Sequence, residues 1–290
     1  PTEAVPNEYL VGLAAGLDEQ TLIAKFKTEC KVDTIRKLKL ANALHVRVQA
    51  GQNAGVAVTK MKAEKGVRYV EPNYLLRAFQ TTEPNDPRYP ELWAMNNTGQ
   101  NGGVEDADID APEAWAISRG SASVLVAVID TGVDYRHPDL VANMWTNPDE
   151  IPNNNIDDDG NGFVDDVYGI NAIDGTGDPM DDHGHGTHCA GTIGAVGNNG
   201  EGVAGVNWNV KIMALKFLSR FGGGSTADAI TCLDYAVAKN AKISNNSWGG
   251  YGYSQALYDA LARARDAGHL VIAAAGNDAS ATPQCPAKLP

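Results

Sequence analysis

The densest group of reactive side chains in this sequence is Asp182-His183-Gly184-His185-Gly186-Thr187-His188-Cys189. An imidazole titrates near neutrality and so can serve as a general base, while closely spaced imidazoles are also common zinc ligands. Asp130 ends the apolar run Val124-Leu-Val-Ala-Val-Ile129. A carboxylate at a strand end is rigidly aimed and partly desolvated, which suits it to orienting an imidazole; the plainer reading is a turn residue or helix cap. Asn277 follows Gly276 after Leu270–Ala275, where an ordinary turn would also place an Asn. A different chemistry is written between Asn153 and Asp166. Asp157, Asp159 and Asn161, followed by Gly162, have the spacing of the first half of a calcium loop, with the Phe163 carbonyl at the next ligand place. The twelfth position is Tyr168 and not Glu, so Asp165 or Asp166 must close the shell. No Lys or Arg occurs between Arg136 and Lys211, which leaves these carboxylates without a cation from nearby sequence. A solvated acidic loop is the alternative.

Elements must hold these groups in place. After Pro90 the pattern alternates apolar strands (Val124–Ile129, Val210–Phe217, Ile243–Ser247, Leu270–Ala275) with helices (His185–Ala195, Thr226–Lys239, Ser254–Ala267). Near-continuous apolar strands separated by helices predict a parallel sheet covered on both faces, with ligands at the carboxyl ends of its strands. Asp130, Ser247 to Gly250 and Gly276-Asn277 stand at those ends. Before Pro84 the pattern is βαββαβ: strands at Glu8–Leu13, Asp33–Leu38, Ala43–Val48 and Val67–Glu71, helices at Asp18–Cys30 and Ala54–Lys65. Pro84, Pro87 and Pro90 make an extended connector. Residues 1–82 and 83–290 are therefore read as two domains.

Charge divides the same way. Residues 1–82 carry 12 Lys/Arg and 8 Asp/Glu, residues 83–290 carry 11 and 28, and the whole chain stands at -13. Such a balance argues against a nucleic-acid or anionic-membrane partner, and opposite signs predict attraction between the two parts. No apolar stretch is long enough for a transmembrane helix, and no leader follows Pro1. Four cysteines are too few for a disulfide scaffold.

Four blocks carry a family resemblance. Val128-Ile129-Asp130-Thr131-Gly132-Val133, His185-Gly186-Thr187-His188-Cys189-Ala190-Gly191, Asn246-Ser247-Trp248-Gly249 and Ala274-Ala275-Gly276-Asn277 resemble, in order, the motif blocks of the subtilisin-like serine proteases. The fold implied is α/β: a subtilisin-like three-layer domain with a parallel sheet, incomplete at its C-terminal side, preceded by a small ferredoxin-like α+β propeptide domain. By the same resemblance Asp130 and His185 are two members of an Asp…His…Ser triad, His188 is structural, and the Asn277 amide is an oxyanion-hole donor. Ser247, Trp248 and Gly249, with Gly222, Gly223 and Gly224, resemble segments that pair with an extended substrate. Core packing is the alternative for Trp248.

The family's serine block does not occur before Pro290, so the nucleophile is expected beyond this sequence, and this chain alone is expected to be inactive. Ser225 opens a helix, but its place before the Ser247 block fits an N-cap better. Cys189 is expected to be an inert thiol. Asp139 with the loop Val196 to Val203 resembles a second calcium site of the family; the loop is one residue longer than the common pattern, which leaves the choice between Asn198 and Asn199 open. Val67-Arg-Tyr-Val-Glu-Pro-Asn73 resembles the last strand of the family's inhibitory propeptide, and cleavage is expected between Ala78 and Asn85. The resemblance thus implies a secreted, monomeric, calcium-binding proenzyme acting on proteins or peptides, inhibited by its own propeptide. A non-catalytic module binding calcium or zinc is the competing reading.

Overall fold

Apolar residues placed on one face of each early strand give a sheet that helices can cover. The computed structural model describes residues 3–75, 81–279, 282 and 284–288. They fall into two compact units, Pro1–Phe79 and Gln80–Pro290. The first runs β1 (Ala4–Leu13), α1 (Glu19–Lys25), β2 (Val32–Leu38), β3 (Ala43–Val48), α2 (Ala54–Ala63) and β4 (Val67–Tyr74). Its sheet order is β2-β3-β1-β4, with every pair antiparallel. Asp18 starts α1 by accepting the backbone N–H groups of Gln20 and Thr21. Val11, Leu13, Phe26, Val32, Leu44, Val46 and Met61 form the buried core.

One polar cluster interrupts the burial in this unit. The Glu8 carboxylate is buried, lies 2.7 Å from His45 Nε2 and accepts bonds from Arg47 and from Asn73 Nδ2 at 2.9 Å. The Arg47 guanidinium, then His45 and Asn73, hold its pKa down to about 2. A carboxylate depressed by folding contributes stability above its unfolded value of 4.5, and that contribution is lost as pH falls toward about 2. Hydrogen exchange of the β1 amides should therefore accelerate in wild type as pH falls through this window, relative to the intrinsic exchange rate. In Glu8→Gln that pH dependence should flatten, with lower protection at neutral pH.

The second unit contains α3 (Ala111–Ile117), β5 (Gly120–Asp130), β6 (Gly169–Asn171), α4 (His185–Gly194), β7 (Asn209–Lys216), α5 (Thr226–Ala238), β8 (Ile243–Asn246), α6 (Gln255–Asp266) and β9 (Leu270–Ala273). The strands pair in parallel in the order β6-β7-β5-β8-β9. Alternate residues of β5 serve opposite faces. Ala127 and Ile129 pack with Met213 and Leu215 against Cys232, Leu233 and Ala236 of α5 and Leu261 of α6. Val126 and Val128 pack with Ile212 and Ala214 against Ala190 of α4 and Leu140. Burying each large aliphatic side chain contributes about 1.5–3 kcal/mol, so a strand buried on both faces is apolar at nearly every position. The result is three layers, helix, sheet and helix.

Two elements were not anticipated from the sequence. β6 is only three residues long and wholly buried, too short for periodicity to register. α3 begins with a Pro in its first turn, a position where the missing N–H costs nothing. The anticipated connector, Thr81 to Pro90, lies within the described residues, whereas Ala78, the first residue of the expected cleavage stretch, lies outside them.

Candidate active site

The carboxyl ends of β5, β7 and β8 converge with the start of α4, and the backbone itself ties them together. Asp130 is fully buried at the end of β5, and its carbonyl accepts the N–H groups of Phe217 and Leu218 beyond β7, at 3.0 and 3.1 Å. Its Oδ1 accepts the Thr131 N–H at 2.7 Å and lies 2.7 Å from His185 Nδ1. The Asp130 side chain is 0% exposed and the His185 side chain 45%. The imidazole therefore has one nitrogen held by a buried carboxylate while the ring reaches the surface. This is the arrangement of a general base whose tautomer and orientation are set from behind.

Close backbone approach makes that distance possible. A Cβ at Gly186 would overlap Gly132 O and press on the Asp130 side chain. Gly186→Ala should consequently destabilise the second unit by roughly 1–3 kcal/mol and pull Asp130 and His185 apart. Thermal unfolding of the variant measures the first effect and the histidine ring proton spectrum the second.

His183 and His185 line a cavity of about 490 Å³ with Gly222, Gly223, Gly224, Ser247, Trp248 and Gly249. Ser247, Trp248 and Gly249 also border a second hollow of about 320 Å³ that contains Asn277, which is exposed. The two hollows share Ser247, Trp248 and Gly249 in their walls, with His185 in the first and Asn277 in the second. Trp248 stacks edge-on against Phe217 at 4.8 Å, so it packs and lines the cleft at once. Ser225 is the N-cap of α5, accepting the Asp228 N–H at 3.1 Å.

The zinc reading of the three histidines does not fit the geometry. His188 lines a separate cavity with His137 and Leu140. Among the described residues, neither group of side chains close enough to share an ion includes His183 or His188. Cys189 Sγ is 4.0 Å from His185 Nδ1. Burial raises the pKa of this thiol; a hydrogen bond with Ser247 opposes the shift, and the charges of Asp130 and Asp181 add to it. It therefore remains a protonated thiol at neutral pH.

The acidic loop forms a second centre. Glu150, Asp159 and Asp166 bring carboxylate oxygens within 4.8 Å of one another. Asp166 is fully buried and accepts from Asn147, Asn161 and the Tyr235 hydroxyl. Asp159 pairs with Lys239. Glu150 Oε1 accepts the Asp158 and Asp159 N–H groups at 2.9 and 3.3 Å, while Oε2 is buried with no hydrogen-bond partner. Burial pushes the Glu150 carboxyl up, against the pull of those two N–H groups. A buried carboxylate oxygen without a donor, beside two further carboxylates, fits a hard cation with oxygen ligands.

Of the loop residues read from sequence, Asp159, Asn161 and Asp166 meet here. Asp157 and Asp165 do not join the cluster: Asp157 accepts the Asn161 and Gly162 N–H groups, and Asp165 those of Asn154 and Asn155. Phe163 packs edge-on against Tyr235 at 6.1 Å. Glu150 was missed because it stands outside the loop spacing.

At the other acidic position, Asp139 is buried and accepts from Asn199 Nδ2 and the Val203 N–H, while its carbonyl accepts the Val196 N–H. Buried Asp86 joins it by accepting the Asn198 and Asn199 N–H groups. Nothing in the sequence around Asp86 pointed to that role.

The sequence model of the Subtilase family matches residues 121–290, and that of the Fervidolysin N-terminal prodomain matches residues 1–73. The extracellular protease of Xanthomonas campestris is 36% identical over 269 residues, 86% of this chain and 44% of the relative. The thermophilic serine proteinase of Bacillus sp. strain AK1 is 35% identical over 230 residues, 79% of this chain and 49% of the relative. Subtilisin-like protease 1 of Plasmodium falciparum is 41% identical over 176 residues, 60% of this chain and 26% of the relative. The crystal structure of fervidolysin from Fervidobacterium pennivorans is 26% identical, with a TM-score of 0.46, and covers 97% of this chain and 41% of that one. The chain spans about half the length, or less, of these three curated relatives.

Proposed function

The chain belongs to the subtilase family, and from that membership we propose that it is the propeptide and the greater part of the catalytic domain of a secreted serine endopeptidase. The observation that carries this reading is the 2.7 Å contact between buried Asp130 and half-exposed His185 at the edge of a peptide-sized cleft. The nucleophile is a serine supplied by a segment outside this sequence. His185 takes the proton of that hydroxyl as the oxygen attacks the scissile carbonyl carbon, and Asp130 stabilises the imidazolium. The Asn277 amide donates to the oxyanion that develops. The proton then passes from His185 to the leaving amine as the carbon–nitrogen bond breaks, and water repeats the sequence to release the acyl group. The backbone of Gly222 to Gly224 and Ser247 to Gly249 binds the substrate as an added strand.

The two acidic centres hold calcium. Glu150, Asp159, Asn161 and Asp166 bind one ion, and Asp139 with the Val196–Val203 loop and Asp86 a second. The ions neutralise carboxylates that would otherwise repel one another in a folded loop. The basic first unit is an inhibitory prodomain, removed on maturation. Family membership and the extracellular relative support secretion.

Expression of the full-length protein, followed by N-terminal sequencing of the active species, tests the proenzyme reading. The first residue of active enzyme should lie between Ala78 and Asn85, and peptide hydrolysis should appear only after that cut. An active species beginning before Tyr74 would overturn it.

A further inference from the structure

Asp181 lies four residues before His185, outside the dyad, yet its carboxylate accepts five hydrogen bonds. Oδ1 accepts the Thr131 hydroxyl at 2.8 Å and the His183 and Gly184 N–H groups at 2.9 Å each. Oδ2 accepts the Thr187 N–H at 3.0 Å and its hydroxyl at 2.6 Å. Burial alone would raise its pKa, but the bonds from Thr187, Gly184 and His183 outweigh that and hold it below the usual carboxylate range. It therefore stays ionised and able to accept from all five donors.

What it holds matters more than how firmly it is held. Having donated to Asp181, the Thr131 hydroxyl presents its lone pair to the Gly186 N–H at 2.9 Å. Thr131 follows Asp130 directly, and Gly186 follows His185 directly. A single side-chain hydroxyl thus bridges the residue after the carboxylate to the residue after the imidazole, and its orientation is set by Asp181. Lys216 holds the same residue from the other side, its ammonium donating to the Thr131 carbonyl at 2.7 Å. On α4, the Thr187 hydroxyl accepts the Asp134 N–H at 2.9 Å, which closes a ring of bonds between the β5 loop and the helix start.

We propose that Asp181 is the positioning residue of the Asp130–His185 pair: through the Thr131 hydroxyl it sets the register of the β5 end against the first turn of α4. It touches neither substrate nor the reacting atoms. This role rests on the protease reading for its effect on rate, but not for its effect on the dyad's geometry. Loss of the clamp displaces the imidazole by a fraction of its hydrogen-bond length, and small misplacements of a catalytic group cost up to about 100-fold in rate.

The test uses the full-length enzyme for both kinetics and spectroscopy, with Asp181→Asn, Thr131→Val, and Asp178→Asn as a control of equal charge change. A proton in a short charge-assisted hydrogen bond, as between His185 Nδ1 and Asp130, resonates far downfield. That resonance, assigned by its loss in His185→Ala, should shift or broaden in Asp181→Asn and Thr131→Val and stay in place in Asp178→Asn. In the full-length enzyme kcat should fall by about 10- to 100-fold with KM within about twofold. An unchanged resonance and unchanged kcat in a folded Asp181→Asn or Thr131→Val overturns the proposal. If Asp181→Asn fails to fold, Thr131→Val decides alone, because it removes the bridge and keeps the carboxylate that caps α4. If the full-length wild type hydrolyses nothing, the protease reading falls, and the resonance still decides the role of Asp181.

Discussion

Replacing His185 by Ala in the full-length protein should lower kcat/KM for peptide hydrolysis between about 10⁴- and 10⁶-fold, with little change in KM or in thermal stability. The size follows from its role. The general base acts in every proton transfer of the reaction, and removal of one member of a triad leaves only the oxyanion hole and binding. The half-exposed ring supports little packing, so the loss should be in rate and not in fold. Asn277→Ala should cost less, about 100- to 1,000-fold, because it removes one donor to the oxyanion and leaves the proton relay intact. Steady-state kinetics on correctly processed protein separates the cases. A deficit in His185→Ala smaller than in Asn277→Ala would contradict the assignment of roles.

Calcium removal should have the second largest effect, on stability. An ion that binds only the folded state stabilises it by about 2.7 kcal/mol at one hundred times its Kd, and a domain of this size loses about 2–4 °C of Tm per kcal/mol. Chelation should lower the Tm of the second unit by about 5–10 °C per site lost. The effect should reverse on adding calcium and depend on its concentration. Glu150→Gln separates the two centres: it takes one charge from the cluster of Glu150, Asp159 and Asp166 and leaves Asp139 and Asp86 untouched. It should weaken one class of calcium binding in a titration and spare the other. A Tm indifferent to chelator, with no calcium retained on dialysis, would remove both sites from the account.

The parts of this molecule that were legible in the sequence are those where neighbouring positions are constrained together. In Val128-Ile129-Asp130-Thr131-Gly132 the strand must be apolar on both faces and the carboxylate must follow at once. The glycine is held at φ 101, where a Cβ would meet Pro179 O and Asp181. The block His185-Gly186-Thr187-His188 is marked by Gly186, which cannot carry a side chain. Such runs are recognisable because every residue answers to the same few ångströms.

The illegible parts are side chains brought in over distance. Asp86 meets Asn198 across 112 positions, and Glu150 meets Asp166 by a path that no spacing rule describes. Asp181 was passed over because its neighbours in sequence, Asp182 and His183, are the more conspicuous. Four of its five bonds are local, from His183, Gly184 and Thr187; the one that ties it to the dyad, from Thr131, appears only once β5 and α4 are placed side by side. Calcium-loop spacing led to Asp157 and Asp165 for a related reason. The pattern of an isolated loop does not reveal that the side chains gathered round Glu150 are Asp159 and Asp166, while Asp157 and Asp165 accept backbone N–H groups within the loop.

Activation of a serine hydroxyl by Asp130 and His185 is the step on which the proposed activity depends. Fluorophosphonate labelling of the processed full-length protein, with the modified residue mapped by mass spectrometry, tests it most directly. One serine should be labelled, located C-terminal to Pro290, with labelling abolished in His185→Ala and greatly slowed in Asp130→Asn. Labelling that persists in His185→Ala, or maps to Ser225 or Ser247, would contradict it.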